Sequence, residues 1–393
     1  MRSARPISLL LLATLLLATP AAAHHRQTPT ILALTTSGDT PLPRVPAQGK
    51  KTLTLAVPVG PNKRIIGVDV FKDPDTPIVV ETTGDNGNPA ISFTGTSYAW
   101  DTTADPLDLG LPGRQVVLSL NGNLLPVSND PTGTSQNPSL DTVGLRVAFE
   151  SQGDLANTGN PPGTSQVFLR NPDGSITQVS QGVGSARNPV VSAKRRQLAF
   201  ESTSDPDTGV DTGVSQIWLG TIVGFGTPIA LTDGQGPSRN ASIGDDGRLV
   251  VFESTADLAG TGADTGVPQI FMYDTKSQTY ARITNDAGGC TMPAAAKVKR
   301  DWRIAFVCGG QPFFYMLRED QRYRVQTDAG SVTQRVVGEL GIHFVALSTT
   351  SNLLGSGTTA GKQVYLVNLY KRPPQPVATV PATWFPTRGI NPL

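Results

Sequence analysis

The chain is poor in the residues that catalysis, metal binding and nucleic-acid recognition draw on. Only 16% of its 393 residues are charged, and Lys plus Arg (32) balance Asp plus Glu (31). Such a chain has no electrostatic footprint for nucleic acid or an anionic membrane surface. Histidine occurs only at His24, His25 and His343, so the four best repeats described below contain no imidazole for a Ser-His-Asp mechanism. No G-x-S-x-G elbow, P-loop or H-E-x-x-H motif is present. Apolar runs are scarce too. The longest, from Ile7 to about Leu17, follows Arg2 and Arg5 and precedes Ala21, Ala22 and Ala23. That order is the pattern of a secretory signal peptide, and the run is short of the roughly 20 residues a membrane-spanning helix needs. We expect a signal peptide over 1–23, an extended linker over 24–50, and a periplasmic or secreted protein with no integral membrane segment after cleavage.

What the chain has in excess is Gly (41) and Pro (32), the two poorest residues for a helix interior. With 38% hydrophobic residues it still has enough apolar surface to fold. A turn-rich all-β protein fits both facts.

Internal repeats give that class an architecture. LRVAFES (145–151), QLAFEST (197–203), LVVFEST (249–255) and WRIAFVC (302–308) align on Phe149, Phe200, Phe252 and Phe306, and weaker copies place Trp100 and Leu347 there. The steps between anchors are 49, 51, 52, 54 and 41 residues. Asn88, Asn137, Asn188 and Asn240 each stand 12 residues before an anchor, the first three followed by proline and Asn240 by alanine. A third landmark follows each anchor, as in SQVFLR (165–170) and SQIWLG (215–220), and a fourth closes most units, as in PIALTDG (228–234). Four short β-rich runs separated by turn residues, at this period, predict the blades of a β-propeller over 51–393. Leu53 to Glu81 supplies three further strands without a first one, and Gly389-Ile390-Asn391-Pro392-Leu393 repeats the opening of a first strand. We therefore expect seven blades, with the C-terminus closing the ring as the inner strand of the N-terminal blade and Pro376 to Val380 as fourth strand of the last. Six blades with an N-terminal β cap is the alternative.

The succession N-P-x-x-S, turn, [LVI]-A-F-E-S and [SP]-Q-[VI]-[FW] resembles the TolB-like, WD40-like (PD40-type) propeller repeats of bacterial envelope proteins. The best copies are RNPVVSAKRRQLAFEST (187–203) and RNASIGDDGRLVVFEST (239–255). The pattern departs from the family in having Gln166, Gln216 and Gln269 where an acidic residue is usual, and the space for TolB's N-terminal α/β domain is absent. The resemblance implies a propeller, an envelope location and a protein-binding role at the channel mouth.

Candidate site residues follow from the repeat. Inner strands surround a propeller's channel, so Gln136, Asn137, Arg187, Asn188, Arg239, Asn240, Gln334 and Arg335 are the candidate binding ring for an envelope or secreted protein or peptide, taken by a monomer without a cofactor. Cys290 and Cys308, the only cysteines, are equidistant from the hairpin turn at 297–301 and placed for a disulfide. Asp205, Asp207 and Asp211 alternate as calcium ligands do, but lack the further carboxylates and terminal Glu of a full calcium loop, and turn formation explains them as well. A carboxylate-based, glycan-active enzyme using Asp205, Glu201 or Glu253 is the alternative function. The recurrence of Glu150, Glu201 and Glu253 at one repeat position argues instead for an architectural role, because catalysis needs one asymmetric constellation.

Overall fold

A computed structural model describes residues 31–34, 52–59, 61–69, 73–81 and 83–325 (without 193, 195, 206, 225, 235, 259–265 and 299–300), then 336–340, 344–354, 358–368, 375–377 and 383–386. The expected signal peptide, most of the expected linker, Gln334, Arg335, His343 and 389–393 lie outside these residues. Every regular element among them is a β-strand.

In chain order, β1 (Ile31–Ala33) is followed by a three-stranded sheet of β2 (Thr52–Val59), β3 (Asn62–Asp69) and β4 (Asp73–Glu81). Blade 1 comprises β5 (Asn86–Ile91), β6 (Ser97–Thr102), β7 (Gln115–Leu120) and β8 (Asn123–Pro126). Blade 2 comprises β9 (Gln136–Leu140), β10 (Val147–Ser151), β11 (Gln166–Arg170) and β12 (Ile176–Gln178). Blade 3 has β13 (Ala186–Val191), β14 (Gln197–Ser204), β15 (Asp211–Thr221) and β16 (Ile229–Ala230). Blade 4 has β17 (Ser238–Ile243), β18 (Leu249–Ser254), β19 (Gln269–Asp274) and β20 (Thr279–Arg282). Blade 5 has β21 (Cys290–Val298), β22 (Asp301–Cys308), β23 (Gln311–Met316) and β24 (Gln321–Arg324), and blade 6 has β25 (Val336–Leu340), β26 (Phe344–Ser351) and β27 (Thr358–Asn368). Two C-terminal strands, β28 (Gln375–Pro376) and β29 (Thr383–Pro386), complete the set.

The repeat landmarks become the packing between blades. Phe149, Phe200, Phe252 and Phe306 lie directly opposite Phe168, Trp218, Phe271 and Phe313 on the neighbouring strand, with ring centroids 5.9–6.3 Å apart. Successive strand residues point to opposite faces. The aromatic of each A-F pair therefore packs toward the preceding blade, and its Ala or Val neighbour leaves room for the following blade's ring. Phe200 and Trp218 accordingly join Ala148, Val167 and Leu169 of blade 2, whereas Ala199 joins Phe252 and Phe271 of blade 4. Each fully buried ring contributes about 1.5–3 kcal/mol. Asp246-Gly247 makes the expected hairpin turn, Gly247 standing at φ 66° with its N–H on the Gly244 carbonyl.

The blade count and the fourth strand of the last blade differ from the seven-blade expectation, while the expected closing strand at 389–393 lies outside the described residues. Six sheets carry four or more strands, as the cap alternative has it, while β2–β4 is three-stranded and packs Ala56 and Ile65 against Trp100 of blade 1. The fourth strand of blade 6 is not Pro376 to Val380 but β1, which pairs in register from Ile31↔Val367 to Ala33↔Tyr365. β28 and β29 instead become fifth strands on the outer edges of blades 5 and 4. The physical reason is that the free outer edge of β27 is satisfied by a segment from within the expected linker, leaving β28 and β29 to pair with the outer edges of β24 and β20.

Candidate functional site

The first strands of successive blades are neighbours around the ring, so their opening residues meet at one end of it. There the backbone turns left-handed at Asn88, Asn137, Asn188 and Asn240, with φ of 41°, 54°, 53° and 53°, and at Met292 with φ 58°. Each lies in a bulge, where the first strand slips register against the second. Asn tolerates this region better than most residues, which accounts for its recurrence.

Each bulge is clasped by a carboxylate from the second strand. Within a blade, the side-chain amides of Asn88, Asn137, Asn188 and Asn240 donate to Asp101, Glu150, Glu201 and Glu253 at 2.8, 2.9, 3.1 and 2.8 Å. The same four carboxylates accept the backbone N–H of the bulged residue in the next blade: Asn137 at 3.2 Å, Asn188 at 2.7 Å, Asn240 at 2.8 Å and Met292 at 2.6 Å. Asp101, Glu150 and Glu201 are buried. Burial pushes the Glu150 carboxyl above its ordinary value, against the pull of hydrogen bonds from Asn188, Gln136 and Asn137 and of the Arg187 charge. Burial likewise raises Glu201, opposed by Asn240, Asn188 and the Arg239 charge and helped by Glu253.

The candidate ring therefore divides. Asn137, Asn188, Asn240 and Gln136 are engaged by these carboxylates, Gln136 through its amide to Glu150 at 2.8 Å. Arg187 and Arg239 are exposed on adjacent blades, opposite Glu201 and Glu253, and neither guanidinium hydrogen-bonds or ion-pairs with a described residue. The corresponding position in blade 1 is Gly87, where a Cβ would stand 2.6 Å from Asp101 Oδ1. Arg114 fills that space and pairs with Asp101 at 2.5 Å and Asp85 at 2.5 Å. The equivalents in blades 2 and 5 are Gln136 and Thr291, so among blades 1 to 5 cationic charge at this position occurs in blades 3 and 4.

Gln115, Gln166, Gln216 and Gln269 explain the departure from an acidic residue. The side-chain oxygen of each accepts from the hydroxyl of Ser128, Ser180, Thr232 or Thr284, and the nitrogen donates to the carbonyls of Asp130, Gly184, Gly234 or Asp286. A carboxylate cannot supply that donor. These glutamines fix the connections between blades, a role that spacing alone did not disclose.

The Asp-rich loops are also self-contained. Asp205 accepts from the backbone of Asp207 and Thr208 and from the Thr208 hydroxyl, and Asp211 accepts from Gly213. Asp105 and Asp154 cap the loops of blades 1 and 2 in the same way. Among the described residues, the one cluster with metal-ligand spacing is Asp286, Cys290 and Cys308, and its sulfurs are bonded to each other. That disulfide joins residues directly opposite across β21 and β22, as expected from the hairpin midpoint. A cleft beside blade 1, lined by Leu107, Leu109, Leu111, Val117 and Pro126, has Asp105 as its titratable group, already committed to its loop.

No family model matches the chain, and no curated protein matches it. Solved structures do. An oligogalacturonate lyase from Vibrio parahaemolyticus aligns at 9% identity and TM-score 0.57, over 86% of this chain and 93% of that one. A prolyl endopeptidase aligns at 10% identity and TM-score 0.54 over 93% of this chain, which spans about half (52%) of that protein. TolB from Acinetobacter baumannii aligns at 11% identity and TM-score 0.43, over 87% of this chain and 68% of its own. At these identities the likeness is one of fold. The chain is, in its blades, a β-propeller.

Proposed function

We propose that this protein is a non-enzymatic binding scaffold of the periplasm or the secreted fraction, which takes a protein or peptide at the channel end where Arg187 and Arg239 stand. The observation that carries this reading is the division of labour at that end. The recurring carboxylates are spent on holding blades together, whereas the guanidiniums of Arg187 and Arg239, whose charges act on Glu150 and Glu201, make no hydrogen bond or ion pair with a described residue. Arg presents a rigid fork of donors suited to carboxylates and peptide carbonyls. The Cys290–Cys308 disulfide suits an oxidising compartment. The raised carboxyls of Glu150 and Glu201 resemble those of an acid catalyst, but backbone and amide donors already occupy them, which disfavours a glycan-active enzyme.

The test is quantitative capture of envelope proteins on immobilised wild type and on Arg187→Gln plus Arg239→Gln. Loss of a retained partner in the variant, with an unchanged melting temperature, supports the reading. Equal capture by both places the binding surface elsewhere.

A further inference from the structure

The outer edge of a blade is a row of unpaired backbone donors and acceptors, a ready template for another strand. In blades 1 to 3 the described structure leaves β8, β12 and β16 outermost. In blades 4 and 5 the edge is covered by the chain's own C-terminal segment. Gln375 and Pro376 lie opposite Arg324 and Tyr323, Val377 donates its N–H to the Arg322 carbonyl at 3.0 Å, and Gln321 Nε2 donates to the Val377 carbonyl at 2.7 Å. Val377 also packs against the cluster that includes Ile304 and Tyr315. On blade 4, four residues pair in register from Thr279↔Pro386 to Arg282↔Thr383.

Three features make this cover removable. The contact is short, with two residues on one edge and four on the other. It is antiparallel main-chain pairing, which any extended segment of suitable sequence can reproduce. The segment is also rich in proline, with Pro373, Pro374, Pro376, Pro381 and Pro386 in sixteen residues (371–386), and proline has no backbone N–H to donate to a further strand. An edge covered in this way accepts one strand and then stops growing.

We propose that the outer edges of β20 and β24 are strand-acceptor sites, and that the occupant they take in trans is the 375–386 segment of a second copy of this chain, giving a strand-exchanged dimer. The contacts within one chain and between two are the same, so concentration decides between them. This proposal is independent of what binds at the channel.

The test uses the full chain and a fluorescent synthetic peptide of residues 375–388. Wild type should bind the peptide, and Val377→Asp, which weakens the internal cover, should bind it at least tenfold more tightly. Thr279→Cys with Pro386→Cys, oxidised, locks the cover in place. It should lose peptide binding and the dimer that wild type forms at high concentration by light scattering, and mild reduction should restore both. Absence of peptide binding to both wild type and Val377→Asp would overturn the proposal, as would binding or dimer formation undiminished in the locked protein.

Discussion

At the scale of the residue, the same Asn does two things: it occupies a left-handed backbone position and it donates to a carboxylate. The two are separable by substitution. Asn188→Gly keeps the backbone freedom and loses the hydrogen bond to Glu201, whereas Asn188→Ala loses both. We expect Asn188→Ala to lower the unfolding free energy by about 1–3 kcal/mol and Asn188→Gly by less, measured by urea denaturation. Titration gives a second residue-scale prediction. Burial alone would raise Asp130, but hydrogen bonds from Thr132, Ser151 and Thr134 more than offset it and hold the carboxyl at about 2. Its folded value lies below its unfolded one, so its contribution is present above the ordinary carboxylate range and is lost as the pH falls toward 2. Glu150 and Glu201 have the opposite sign: their folded values are raised, so stability is fully present below the ordinary value and lost as pH rises through the raised one. The melting temperature should therefore pass through a maximum at about pH 4–5. A monotonic rise to neutral pH would show that the glutamates are not held as described. Spacing alone made the Asn positions legible, since each stands a fixed interval before its carboxylate. It did not show which way the side chains face, because a polar residue opening an inner strand reads alike whether it meets solvent or a neighbour's Glu.

At the scale of the element, the hairpin of β21 and β22 is where reading and structure agree most closely. The cysteines lie opposite each other because a single bulge between Thr291 and Ala294 shifts the register without breaking the pairing. Replacing both with Ala should lower stability by roughly 3 kcal/mol, and reductant should bring wild type down to the same midpoint. Each connecting loop depends in turn on one glutamine. Gln216→Glu removes the donor to the Gly234 carbonyl and sets a charge beside it, so we expect a loss of about 1–3 kcal/mol by thermal or urea unfolding. The A-F pairs were visible as a repeat. Their meaning as a small residue on one face and a ring on the other emerges only once consecutive blades are stacked.

At the scale of the whole molecule, the completion of blade 6 was the least legible feature. The strand that completes blade 6 is three residues long, carries none of the repeat landmarks and pairs with residues more than 330 positions away. No local pattern encodes such a contact. Removing residues 24–34 should expose the outer edge of β27 and lower the melting temperature by several degrees in a thermal scan. The clasps distribute differently. They run from blade 1 to blade 5 through Asp101, Glu150, Glu201 and Glu253, and in blade 5 Val307 occupies the carboxylate position, so the seam with blade 6 rests on the apolar contacts of Val307, Phe314, Tyr365 and Val367. The central claim is that the carboxylates at this end hold the ring while the two arginines hold a partner. Measuring partner capture and melting temperature together on two variants tests it directly. Glu201→Ala, which removes the acceptor for both Asn188 and Asn240, should melt lower and still capture, and Arg187→Gln with Arg239→Gln should melt as wild type and fail to capture. The reverse assignment, capture lost with Glu201 and kept without the arginines, would contradict it.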